Sequence, residues 1–387
     1  MQTSSGTAHA QKRKPRLAAI EYIRGISMMG VIGIHVGSQY LGNPAANVHL
    51  IALFEIFTRF SVPIFFFISA FGLFYNLDMD APFDACHFYL RRIKTVLVPY
   101  VAWSLFYVVG DSLLYGSALP TPFFFCGMLF FGVAKYQLYF LVILLWFYLF
   151  MPLWIWLVRR IGRKELAALL VFQIAFDYWS SYSVPFNLYV YGLPDDSVLK
   201  MLLMYRLNYW VLHYVFIFVL GGWLAVHMEA FQRFMQERRT AITVLFWVSM
   251  ASLLAYYYWL LAQGATALDG INTAHQLSPE GIFYTLMASL FFFTIFTYQR
   301  YPKFLNPILH VLGKHSYFAY LVHPVFITLL SLLLTRTGHL MTGGIALAFY
   351  CAVLLLSLAA AAVCRRVGEK VPLLNELTIG VYPKKKS

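Results

Sequence analysis

Residues 18–40 read AAIEYIRGISMMGVIGIHVGSQY. About 20 apolar residues at 1.5 Å each cross the roughly 30 Å hydrocarbon core of a bilayer as a helix, and this run is long enough to do so although Glu21, Arg24 and His35 stand inside it. At 100° per residue, Arg24 and His35 fall within about 20° of each other and Glu21 within about 40° of His35. One polar stripe therefore climbs an otherwise apolar helix, with His35 roughly 20 Å beyond Glu21. Gly30, Gly33 and Gly37 form a small-residue series on which a neighbouring helix or a ligand can come close. Ionisable groups are costly in lipid and mark a partner or a task.

The same apolar signal recurs along the chain, near 50–74, 94–115, 138–158, 164–181, 207–227, 241–262, 281–298, 308–332 and 343–363. The spacing predicts an all-α, polytopic membrane bundle of about ten transmembrane helices. With 61% hydrophobic and only 12% charged residues in 387, an ordinary soluble enzyme is excluded. Unbroken apolar runs also exclude a β-barrel, whose strands alternate over about ten residues.

The net charge of +13 suggests nucleic acid only until the charges are placed. All Lys and Arg but Arg59, Lys135, Lys200, Arg206 and Arg336 fall at one set of span ends and turns. That bias predicts cytoplasmic N- and C-termini and leaves no call for nucleic acid. The expected organisation is a basic N-terminal tail over 1–17, including Lys12 and Arg13, one membrane domain over 18–364, and a basic C-terminal tail over 365–387 that ends in Lys384, Lys385 and Lys386. The first span is expected to be retained, since it is of full length and lacks a small-residue cleavage site. The longest outward loops, near 113–137, 182–206 and 263–280, either cover a groove or simply connect spans. Cys86, Cys126, Cys351 and Cys364 are scattered, and the histidines form no metal-binding motif, so no metal is expected.

Chemistry is then sought among the intramembrane polar groups. His35 has the side chain suited to exchanging a proton near neutrality, and is either a general base for a hydroxyl, a hydrogen-bonding residue between helices, or part of a proton relay. Arg91, Arg92 and Lys94, in CHFYLRRIKTVLVPY (86–100), are suited to phosphate, although the charge rule alone would put basic residues there. In GKHSYFAYLVHP (313–324), Tyr317, Tyr320 and His323 repeat every third residue and share a broad face with Ser316. Pro324 is expected to bend that helix and free the carbonyls before it. His310 and His315 fall nearer the boundary.

Four landmarks, IEYIRGISMMGVIGIH (20–35), RFSVPIFFFISAF (59–71), RRIKTVLVPY (91–100) and GKHSYFAYLVHP (313–324), occur in an order and at depths in which the chain resembles the bacterial membrane acyltransferase 3 family over nearly its whole length. The resemblance implies a ten-helix core in the cytoplasmic membrane that transfers an acyl group, most commonly acetyl, from cytoplasmic acyl-CoA to a hydroxyl of an extracytoplasmic glycan or lipid-linked sugar. It implies His35 as catalytic histidine, with Glu21, Arg24 and Ser69 at the family's accompanying positions; the hydroxyl-and-imidazole face of Tyr317, Tyr320 and His323, together with Gln137, is expected to orient the substrate. The family's paired donor arginines fall on Arg92 and, in this chain, on Thr95; Arg91 or Lys94 would supply the missing charge. Where the fourth-helix motif often opens with histidine, this chain has Gln137 in YQLYF. Arg24, Ser69 or a tyrosine of the ninth span would stabilise the oxyanion. A covalent route through Ser69, a polysaccharide or lipid transporter without acyl transfer, and a scaffold with envelope-assembly partners are the other readings.

Overall fold

A computed structural model describes residues 14–43 and 46–383. Lys12, Arg13 and the Lys384–Lys386 run of the expected basic tails lie outside the described residues. The regular structure among the described residues is entirely helical.

Seven helical runs are long and apolar enough to cross a membrane: α1 (Ala18–Leu41), α2 (Val48–Asn76), α3 (Ala85–Tyr115), α8 (Arg239–Ala262), α9 (Pro279–Thr297), α10 (Lys303–Thr337) and α11 (Gly343–Lys370). Two bent pairs raise the count to nine if each is one span. Tyr139–Leu149 (α4) meets Met151–Arg160 (α5) at 66°, and Val211–Val226 (α7) meets the short helix Met228–Glu237 at 99°. Pro152, in the first turn of α5, accounts for the first bend, since it has no N–H to continue the ladder. The second turns an amphipathic segment sideways, with Phe231 and Met235 buried and its polar side outward.

The chain thus has seven to nine candidate spans among the described residues, where the sequence predicts ten. The window at 164–181 is the one outside that set. It forms α6 (Arg163–Asp177), in which Glu165, Gln173 and Asp177 interrupt the apolar run. The expected domain boundary at 364 falls inside α11, and the chain continues into a helix over Pro372–Ile379.

α1 is the hub, packed against α2, α9, α10 and α11. Its small residues face α2, as their spacing predicts: a Cβ at Gly37 would sit 2.8 Å from Phe54 Cβ and 3.0 Å from the Glu55 side chain. Matching Gly37 to Glu55 and Arg24 to Gly72 makes α1 and α2 antiparallel. Glu21 lies against Gly313, and His35 against His323, so α1 and α10 run parallel. Gly380, at φ +63°, seats the end of the chain against the Thr95 backbone, and Lys94 stands 5.6 Å from the Tyr382 ring. Three π-helical turns, Ala52–Ile56, Ile93–Leu97 and Tyr178–Tyr182, contain or directly follow Glu55, Arg92 and Asp177. Such turns widen the helix by one residue and re-aim side chains.

Candidate active site

The antiparallel register of α1 on α2 brings His35 to the level of Arg59, and the parallel register of α1 on α10 brings it to the level of His323. A cavity of about 70 Å³ opens between them, with room for about five waters. Its polar wall is built from four regions: His35 of α1, Arg59 of α2, Gln137 and Tyr139 at the start of α4, and His275 and Gln276 in the loop before α9, closed by Tyr320 of α10. The loop at 263–280 therefore closes one side of the cavity.

The local chemistry of α10 fixes one histidine. Pro324 has no N–H, so the Tyr320 carbonyl loses its helical donor. His323 Nδ1 lies 2.6 Å from that oxygen, and since a carbonyl only accepts, Nδ1 carries the proton. The lone pair is left on Nε2, which is buried without a hydrogen-bond partner among the described residues. The His323 ring stacks on His35 at 5.3 Å with 17° between planes, and the Tyr136 ring lies tilted against His35 at 4.4 Å. The Tyr320 hydroxyl donates to the Gln137 carbonyl. The YQLYF segment thus brings Tyr136, Gln137, Tyr139 and Phe140 all to His35 or its cavity.

Arg59 and Glu55 form a buried ion pair at 3.2 Å, with side chains 8% and 2% exposed. Ser38 donates to Glu55 Oε1 at 2.9 Å, and Arg59 Nη2 donates to the Ile271 carbonyl at 2.8 Å. Sequence reasoning treats Arg59 only as a topology charge. The missed signal is an i,i+4 pair of opposite charges inside an apolar span. His275 and Gln276 carry no such signal, because only the tertiary fold lowers their loop into the bundle.

A second polar cluster lies toward the face where α1 begins. Arg92 stacks at 5.0 Å from the Phe88 ring centroid and 4.9 Å from that of Tyr148, and interacts electrostatically with Arg24. Arg91 and Lys94 are exposed, and Thr95 turns its hydroxyl back to the Arg91 carbonyl at 2.9 Å. Arg24 of α1 and Arg91 are the cations within electrostatic reach of Arg92. Glu21 pairs with Arg16 at 2.9 Å and His310 at 3.4 Å, at the same end.

The predicted catalytic set is accordingly divided. Arg24 lies eleven residues from His35, about 16 Å along one helix, and Glu21 is farther. Ser69 lies ten residues beyond Arg59 on α2, about 15 Å along the axis, near the level of Arg24. Among the predicted substrate groups, His323, Tyr320 and Gln137 gather at His35. Tyr317 instead has Tyr148 as its electrostatic neighbour, and its hydroxyl is buried without a hydrogen-bond partner among the described residues.

A third group is His213, with Nδ1 2.6 Å from Asp177 and both side chains fully buried; it interacts electrostatically with His275 on the cavity wall. Among the described residues, no three His, Cys, Asp or Glu side chains are arranged to hold a metal ion.

A polytopic helical bundle with a histidine-lined cavity between its helices, and an arginine cluster toward one face, defines a multi-pass membrane protein with a polar interior site. A family profile described as "Acyltransferase domain" matches residues 17–366. The chain belongs to this bacterial membrane acyltransferase family, acyltransferase 3. It is also similar to probable poly-beta-1,6-N-acetyl-D-glucosamine export proteins of Staphylococcus aureus strains MSSA476 and MW2, at 20% identity over 241 residues. The match covers 61% of this chain, and the chain spans 61% of the length of these curated relatives. No solved structure matches.

Proposed function

We propose that the protein transfers an acetyl group from cytoplasmic acetyl-CoA to a hydroxyl of an extracytoplasmic glycan or lipid-linked sugar, with His35 as general base, in the bacterial cytoplasmic membrane with both termini inside. The observation that carries this reading is the cavity beside His35. At about 70 Å³ it suits a two-carbon acyl group and falls well short of the roughly 300 Å³ of an ordinary ligand pocket.

Arg92 and Arg24 hold the donor's phosphates at the cytoplasmic side, where planar guanidinium groups match phosphate oxygens. The roughly 16 Å from Arg24 to His35 is a distance for the flexible pantetheine arm to bridge. At its tip, the acceptor hydroxyl attacks the thioester carbon while His35 takes its proton. Collapse of the intermediate reforms the carbonyl and breaks the C–S bond, and His35 returns the proton to the departing sulfur. His323 supports the imidazole face to face, with its own proton fixed on Nδ1.

The test is transfer of radiolabelled acetyl-CoA by the purified chain in liposomes, with an envelope glycan extract as acceptor. Label reaching the glycan, lost in a folded His35→Ala variant, supports the reading. Absence of turnover with intact protein sinks it.

The names of the Staphylococcus relatives favour a second reading, export of an amino-sugar polymer without acyl transfer. It predicts glycan movement across vesicles that continues without acetyl-CoA and survives His35→Ala.

A further inference from the structure

We propose that Arg59 is a catalytic residue, the donor that holds the negative charge on the thioester carbonyl oxygen as the acceptor attacks. The inference rests on the acyl-transfer reading above. That reaction develops its charge on one oxygen next to the base, and the groups nearest at hand in sequence, Arg24 and Ser69, sit about 15 Å away along their helices.

Arg59 is the one Lys or Arg on the cavity wall among the described residues. Gln137, whose Nε2 is buried without a hydrogen-bond partner among the described residues, and Tyr139 also line the cavity, but as neutral donors they hold an oxyanion less strongly than a guanidinium does. The Tyr320 hydroxyl is already committed to the Gln137 carbonyl. Gln276 reaches toward the Tyr214 hydroxyl at 3.4 Å. Arg59, only 6% exposed, contacts both Glu55 and the Ile271 carbonyl through Nη2. Its Nε is buried without a hydrogen-bond partner among the described residues. A guanidinium has five N–H donors in a fixed fork, so most of this fork is uncommitted beside His35, with which Arg59 interacts electrostatically.

The contacts that Arg59 does make are of the kind that fix a donor in advance. Glu55 is itself held by Ser38 of α1, and Ile271 belongs to the covering loop. Three parts of the fold thus clamp one guanidinium, and a donor clamped before the reaction needs no reorganisation when charge appears. In the step proposed, the hydroxyl oxygen of the acceptor bonds to the carbonyl carbon, the π pair moves to the carbonyl oxygen facing Arg59, and the hydroxyl proton passes to His35. Return of the pair expels the thiolate, which takes the proton back from His35. Arg59 exchanges no proton.

The experiment compares native protein, His35→Ala, Arg59→Lys and the neutral pair Glu55→Gln/Arg59→Gln in liposomes, measuring kcat and the acetyl-CoA KM after confirming folding by thermal melting. The neutral pair is expected to lower kcat by about 10²–10³-fold, with the donor KM within about threefold, because the phosphates bind elsewhere. Arg59→Lys, which keeps the charge but loses the fork, falls between it and native. A purely structural pair predicts otherwise, with native kcat in Arg59→Lys and in a folded neutral pair, and either result overturns the inference. If the neutral pair does not fold, Arg59→Lys decides: at least a tenfold drop in kcat at unchanged KM supports the donor role, and a smaller one overturns it. Native activity lost in His35→Ala but kept in the Arg59 variants refutes this inference alone. An inactive native protein refutes acyl transfer and the inference together.

Discussion

Replacing Gly313 by alanine puts a methyl group into the closest approach between α1 and α10. The new Cβ would lie 2.8 Å from the Glu21 carbonyl carbon and overlap its oxygen and Cγ, and the obstacle is helix backbone that no rotamer change removes. Restoring ordinary contact near 3.4 Å requires the helices to part by roughly 1 Å, a gap that already forfeits about a quarter to a half of the dispersion attraction of each atom pair across it. Overpacking of this kind costs about 1–3 kcal/mol. The His35–His323 stack, 5.3 Å between ring centroids, lies ten residues farther along the same parallel pair and widens with it. The assay is thermal melting in detergent alongside acetyl transfer, with Gly110→Ala as the opposite-sign control. Gly110 has nothing within 4 Å of a Cβ, so alanine there gains up to about 1 kcal/mol of helix propensity. Gly313→Ala should melt earlier and transfer more slowly, and Gly110→Ala should melt no earlier than native. Equal melting of the two variants would refute the packing argument.

Further outcomes follow from the site. Pro324→Ala returns an N–H to the Tyr320 carbonyl and competes with His323 Nδ1 for it; one net hydrogen bond of about 1 kcal/mol corresponds to a fall in transfer of roughly fivefold at unchanged donor KM, and an unchanged kcat would show that the tautomer of His323 is immaterial. Arg92→Gln should raise the acetyl-CoA KM at least tenfold with a weakened salt dependence, a charged hydrogen bond being worth about 1.5–3 kcal/mol; a change in kcat alone would place the donor's phosphates elsewhere. Arg91→Gln, at an exposed position, should alter that KM less than threefold, as direct kinetics will show. Gly37→Ala presses on Phe54 and Glu55 and should lower kcat more than it raises KM, by disturbing the clamp on Arg59; a pure KM effect would contradict the role given to that arginine.

The sequence by itself determined the solvent in which this chain folds. Long apolar windows admit only helices with their backbone bonds satisfied internally, and the windows fell on helices throughout. It also singled out α1 as the helix whose polar groups need a reason, because Arg24 and His35 stand in an apolar span, and the small-residue series as a face for close packing. Periodicity does not show where a helix breaks or loses its apolar character, so α4 and α5 bend at Pro152, α7 turns sharply at its end, and 164–181 falls short of a span.

What only the tertiary structure decided is which polar groups meet. A shared face along a helix says nothing about depth, and Glu21 and Arg24 share a stripe with His35 while lying at the other end of it. Of their partners, Arg16 lies just before α1, while His310 and Arg92 come from other segments. His35 acquires its neighbours through inter-helix register: parallel packing on α10 supplies His323, antiparallel packing on α2 supplies Arg59, and a covering loop supplies His275. Register is set where backbones come closest, at Gly37 and Gly313, and it depends on two surfaces fitting together. One strand of sequence carries only half of that information.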